Sequence, residues 1–178
     1  MNFDRRLLAS LLFACLSLGS AGFVASSAFN YLGFYPALSQ LGAQVTSASL
    51  YTPSNGAPTL SAEVIVSNPT GYNGLAVRDA QVMFSFQVNG HANITLFQGV
   101  QLVGHESLGM GLGPNSQMTF RVNAQVNPEN MSSLVALTRS YPGMVIAHTN
   151  LQVNMITFLE SVTLTSLSDI RDVPLSSI

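Results

Sequence analysis

Gln81 to Gly90 reads QVMFSFQVNG, and this stretch decides the fold class. Val82, Phe84, Phe86 and Val88 fall at alternate positions, with Gln81, Ser85 and Gln87 among the residues between them. A period of two with one apolar side is the pattern of a strand buried on one face. Asn89-Gly90 closes the run, and this dipeptide is the strongest short-range hairpin signal because both residues tolerate positive φ. The return strand carries Ile94, Leu96, Val100 and Leu102, with Gln98-Gly99 a bulge within it.

The same alternation extends in both directions. Towards the N-terminus, Thr59 to Ser67 places Leu60, Ala62, Val64 and Val66 on one face, and Asn68-Pro69 ends it. Proline cannot donate to a ladder, and asparagine readily forms a local turn. Gln44 to Tyr51 is a further strand, closed by the turn cluster Pro53-Ser54-Asn55-Gly56. Towards the C-terminus, Gly104 to Asn115 reads as a glycine-rich loop, and Ser116 to Val126 alternates again through Met118, Phe120, Val122, Ala124 and Val126.

Asn127-Pro128-Glu129 then changes the pattern to that of a helix: an N-cap, proline at the first helical position and an acid facing the dipole. Met131, Leu134, Val135 and Thr138 keep helical spacing, so Pro128 to Arg139 is one short helix, stopped by Tyr141-Pro142-Gly143. Strands around Met144–Met155 and Thr157–Leu167 follow, and then a polar tail. Antiparallel strands of this kind with one helix imply a mainly β domain, an antiparallel two-sheet sandwich of immunoglobulin or fibronectin type III kind.

Ahead of this domain lies Leu7 to Phe29, LLASLLFACLSLGSAGFVASSAF, without a charge or a proline. As a helix it would be about 35 Å long at ~1.5 Å per residue, enough for a hydrocarbon core of about 30 Å. Arg5 and Arg6 precede it and no basic residue follows until Arg78. The positive-inside rule then puts 1–6 in the cytoplasm as a tail, 7–29 across the membrane, and 43–178 outside the cytoplasm. Residues 30–42 form a juxtamembrane connector in which Tyr31, Phe34 and Tyr35 supply an aromatic belt and Pro36 stops or bends the helix. Two other fates stay open: cleavage after a signal peptide near Ser26-Ser27-Ala28, or lipidation at Cys15.

Charged residues make up 8% of the 178 residues, lysine is absent, and the net charge is −2. Soluble domains carry roughly 25% charge, so the surface here is built from Ser, Thr, Asn and Gln. No basic run follows Arg6, which removes the electrostatic case for nucleic acid. One cysteine excludes an intrachain disulfide and a cysteine-based zinc site. His105-Glu106 begins a zinc-protease motif that Gly109 breaks, and His91, His105 and His148 are spread over separate segments. Gly109 to Gly113 has the glycines of a phosphate loop without a helix to follow it. Glu63 and Glu160 fall on solvent-facing strand positions. No catalytic residue, metal ligand, cofactor site or small-molecule substrate is expected. Asn93 and Asn130 head N-x-S/T sequons and are candidate glycosylation sites.

Taken together, Ala62 to Ser67 ending in Asn68-Pro69, the hairpin Val88-Asn89-Gly90 with Phe97-Gln98-Gly99, and Leu112 to Ser116 ahead of Met118-Thr119-Phe120 resemble the LEA14, or water stress and hypersensitive response (WHy), domain. The resemblance covers about Gln44 to Leu167, with Gly71 to Asp79 departing from it. It implies an antiparallel β-sandwich with one helix, structural roles for Asn68, Pro69, Asn89, Gly90 and Gly99, and no active site. The expected protein is a non-catalytic, single-pass, membrane-anchored module of the cell envelope that contacts the bilayer through 7–29. Its partner would be another envelope protein or a second copy of itself. A pilin-like filament subunit, or an accessory subunit of a larger membrane complex, is the alternative.

Overall fold

A computed structural model of the chain describes residues 5–51, 57–97, 102–124, 126–157 and 163–177. Two compact units divide it, Met1–Ser39 and Gln40–Ile178. The first is a single helix, α1 (Arg5–Leu38), 34 residues long and so about 50 Å at ~1.5 Å per residue. Leu7, Leu11, Phe13, Leu16, Phe23 and Val24 are all more than half exposed. A helix that is apolar all round belongs in a protein core or a bilayer, and α1 is long and apolar enough to span one. The connector expected at 30–42 is helical up to Leu38, with Pro36 in the last turn. There the tyrosine rings of Tyr31 and Tyr35 meet edge to face at 6.1 Å.

The second unit contains β1 (Gly42–Tyr51), β2 (Thr59–Asn68), β3 (Leu75–Val88), β4 (His91–Leu96), β5 (Leu102–Leu112), β6 (Ser116–Ala124), α2 (Pro128–Ser140), β7 (Val145–Thr157) and β8 (Thr163–Ser177). The strands run in the order β4-β3-β5-β6-β2-β1-β8-β7, and β7 pairs back onto β3. Seven strands therefore close on themselves, while β4 hangs on β3 as an eighth. This corrects the expected two-sheet antiparallel sandwich: the sheet is continuous and forms a closed barrel. Nor is it wholly antiparallel, because β1 and β8 pair in parallel from Ala48↔Leu175 to Leu50↔Ser177. The other narrow closure is β5 to β6, through the register pair Gly104↔Ala124.

Two misread segments account for the correction. The expected loop at 104–115 is mostly strand β5, paired with β3 from Phe84↔Leu102 to Leu75↔Leu112. Its glycines hide a ladder that backbone groups make without help from side chains. The expected polar tail is the second half of β8, which follows β7 from Ile156↔Thr163 to Ile146↔Pro174. Only Val173 and Leu175 of that half are buried, so its sequence lacks the apolar alternation on which strand assignment rests.

The expected return strand through Leu102 divides, because β4 ends at Leu96 with Ile94 and Leu96 half-buried and Leu102 begins β5, but in β2 and β3 the alternation is realised. Val82, Phe84, Phe86 and Val88 are buried, as are Leu60, Ala62, Val64 and Val66. Phe84 and Phe86 stack with centroids 6.4 Å apart. Burying side chains of this size stabilises by roughly 1.5–3 kcal/mol each. The expected hairpin turn forms, with Gly90 at φ 78°. Asn89 keeps negative φ and instead donates its backbone N–H to the Met144 carbonyl at 2.8 Å.

Helix α2 begins where expected and runs one residue further, to Ser140. The Asn127 side chain accepts a hydrogen bond from the Asn130 N–H at 2.8 Å. Strand β6 ends and β7 begins at the same end of the barrel, on opposite sides of it. The helix therefore crosses that mouth, with Met131, Leu134 and Leu137 buried on one stripe.

Candidate functional site

Of the family-motif residues, Asn68 is the one the structure makes central. It is fully buried at the end of β2, and every hydrogen-bonding position on its amide is used. Nδ2 donates to the Tyr72 and Gly113 carbonyls, both at 2.9 Å. Oδ1 accepts from the Thr70 N–H at 3.1 Å and the Thr70 hydroxyl at 2.6 Å. The Thr70 carbonyl in turn accepts from the Asn115 N–H at 2.8 Å. One side chain thereby clips the β2–β3 connection to the β5–β6 turn. Pro69 follows directly and ends the ladder, Asn89 and Gly90 form the β3–β4 turn, and Gly99 lies outside the described residues, as do Glu160, Gln98, Val100 and the turn at 53–56.

The histidines lie on different strands: His91 on β4, His105 on β5 and His148 on β7. His91 faces the Tyr141 ring at 5.8 Å. Among the described residues no three His, Cys, Asp or Glu side chains gather as a metal site would require. Glu63 stands on the outer face of β2 opposite Arg121 and accepts a long hydrogen bond, 3.4 Å, from the Thr46 hydroxyl. Asn93 is exposed on β4, whereas Asn130 is half-buried in the first turn of α2. Asn93 is the more accessible of the two sequons.

Three features escaped the sequence reading. First, β8 carries a charged pair on its inner face: Asp169 lies opposite Leu151 and Arg171 opposite Thr149 in the β7–β8 register. Arg171 Nε is 3.0 Å from Asp169 Oδ2. That oxygen is buried without an aligned hydrogen bond, while Arg171 Nη2 donates to the other carboxylate oxygen, Asp169 Oδ1, at 3.4 Å. The run Leu167, Asp169, Arg171, Val173, Leu175 does have period two, but its two charges disguise it.

Second, His148 Nδ1 and Asp172 Oδ1 meet at 2.6 Å on the outer face, both about half exposed. Exposed pairs of this kind contribute under ~1 kcal/mol. A double-mutant cycle of His148→Ala and Asp172→Ala should give a coupling free energy below that, shrinking further in 1 M salt. A coupling of several kcal/mol would mean the pair does more than decorate the surface.

Third, a groove of about 420 Å³ runs beside α2, lined mainly by Pro58, Val126, Met131, Val135 and Ala136, with Ser132 and Arg139 also on its lining. Sequence could not show it, because it joins the start of β2 to a helix some 70 residues on.

No family profile matches the sequence, and no curated protein does. Solved structures resemble it distantly. A solution structure of an Arabidopsis thaliana protein is 14% identical, covers 76% of this chain and 82% of its own, and has a TM-score of 0.45. A solution structure of a candidate late embryogenesis abundant (LEA) protein is 13% identical over 90% of this chain and 87% of its own, at 0.40. A crystal structure of a protein from Archaeoglobus fulgidus is 8% identical over 78% and 95%, at 0.37. Similarity at this level defines no family.

Proposed function

We propose that this chain is a membrane-anchored, non-catalytic binding module, its barrel displayed outside the cytoplasm at the cell envelope and related to LEA14 or WHy domains. The observation that carries the reading is α1, apolar and exposed on every side over a length that exceeds a bilayer core. Arg5 and Arg6 at its start orient it with the N-terminus in the cytoplasm, and Tyr31 and Tyr35 near its end suit a membrane interface. The outer faces of the barrel offer hydrogen-bonding groups with little charge, such as the Ser49–Ser61 hydroxyl pair at 2.9 Å. Such a surface suits contact with another envelope protein or a second copy.

Fractionation tests it. The full-length chain should stay in the membrane pellet through carbonate washing, and a form lacking 5–38 should leave it. Protease added to intact cells should remove the barrel. Release of the full-length chain by carbonate would sink the anchor, and protection in intact cells with loss in inverted vesicles would reverse the sidedness. N-terminal sequencing separates the alternatives: Met1 intact marks an anchor, a start near Leu7 a filament subunit, Cys15 a lipoprotein, and a start after Ala28 a secreted domain.

A further inference from the structure

We propose that the groove beside α2 binds a single-chain amphiphile with a carboxylate head, of the fatty-acid class. Its volume of about 420 Å³ falls in the range of roughly 300–1,000 Å³ typical of small-ligand sites. Pro58, Val126, Met131, Val135 and Ala136 give it an apolar wall, which offers water few partners and an alkyl chain many contacts.

The head group follows from charge. Arg78 and Arg171 each contact a neighbouring aspartate, and Arg121 lies opposite Glu63 in the β2–β6 register. Arg139, on the groove, makes no ion pair among the described residues. A basic residue in the last turn of a helix also suits the dipole, so its charge alone would mark nothing. Set beside an apolar groove, a guanidinium is the group that recognises a carboxylate through paired N–H bonds. One guanidinium balances one negative charge. The hydrocarbon tail then lies along Met131 and Val135 and the carboxylate meets Arg139.

The site stands whether or not α1 anchors the chain, and its test is separate. Full-length protein in phosphatidylcholine nanodiscs is irradiated with a diazirine-bearing dodecanoic acid, and the labelled peptides are mapped by mass spectrometry. Label is expected on the peptide containing Met131–Arg139. It should fall at least five-fold in Ala136→Trp, which fills the groove, and in Arg139→Gln, which removes the charge. Both positions are exposed, and circular dichroism checks that each variant is folded. Should Ala136→Trp fail to fold, Arg139→Gln carries the test. Unlabelled dodecanoate should compete at least five-fold better than dodecanol. Label confined to α1, or label unchanged in a folded variant, overturns the site. Equal competition by the alcohol overturns the role of Arg139.

Discussion

Asn68→Ala lowers the stability of the barrel unit by about 3 kcal/mol. The amide makes four hydrogen bonds from a fully buried position. Truncation removes the donor to the Tyr72 carbonyl and strands the Thr70 N–H, and a buried polar group left unpaired costs roughly 1–3 kcal/mol. The Gly113 carbonyl loses less, since the Ser116 hydroxyl still donates to it at 2.6 Å. Asn68→Asp is worse at neutral pH, although its shape is nearly the same. One carboxylate oxygen still accepts from Thr70, but the other now faces two carbonyl oxygens where an NH₂ donated to both. The folded state disfavours that carboxylate, so the introduced group has a raised folded pKa. The folded protein then binds more protons than the unfolded one, and the variant regains stability as pH falls. Pulse proteolysis of the full-length chain across a urea series measures both effects. An Asn68→Ala barrel as stable as the parent, or an Asn68→Asp variant that gains nothing in acid, would remove the clip from the account.

The importance of Asn68 was half legible in the sequence. Asn68-Pro69 plainly ends a strand, but the partners at Tyr72 and Gly113 come from two different connections and only the fold brings them together. The same division holds across the chain. Where burial on one face drives pairing, as in Gln81–Val88, period two names the strand and its inward residues. Where charges interrupt the inward face, as at Asp169 and Arg171, or where glycines stand in for side chains, as in Gly104–Gly111, the pattern is silent. Both silent segments belong to barrel-closing strands, and that is why a barrel read as a sandwich: each seam joins a legible strand, β1 or β6, to one that the pattern hides. The groove was illegible for a related reason. Val135 and Ala136 look like ordinary helix positions until Pro58 stands opposite them.

Gly104 puts the closed barrel to its sharpest test. It forms the register pair Gly104↔Ala124 that joins β5 to β6. A Cβ there would lie 2.9 Å from Val122 Cγ1 and 3.1 Å from both the carbonyl carbon and the oxygen of Asn123. The valine methyl is a side-chain contact that truncation removes; the Asn123 backbone, inside a ladder shared with β2 at Ser61, is not. Gly104→Ala must therefore push β5 and β6 apart at the point where they meet. Overpacking of this kind costs about 1–3 kcal/mol, and Gly104→Val should exceed that range. Two further signatures separate a sprung seam from general loosening. Val122→Ala added to Gly104→Ala should recover only part of the loss, because it relieves the methyl contact and leaves the backbone one. Amide exchange should quicken around Gly104 and Ala124, while the β3–β7 ladder, paired from Leu75↔Thr157 to Val88↔Val145, keeps its protection. If Gly104→Ala proves neutral, or if Val122→Ala restores stability in full, backbone contact at this seam does not set how closely β5 approaches β6. The close approach of two main chains would then be a consequence of the barrel and not one of its causes.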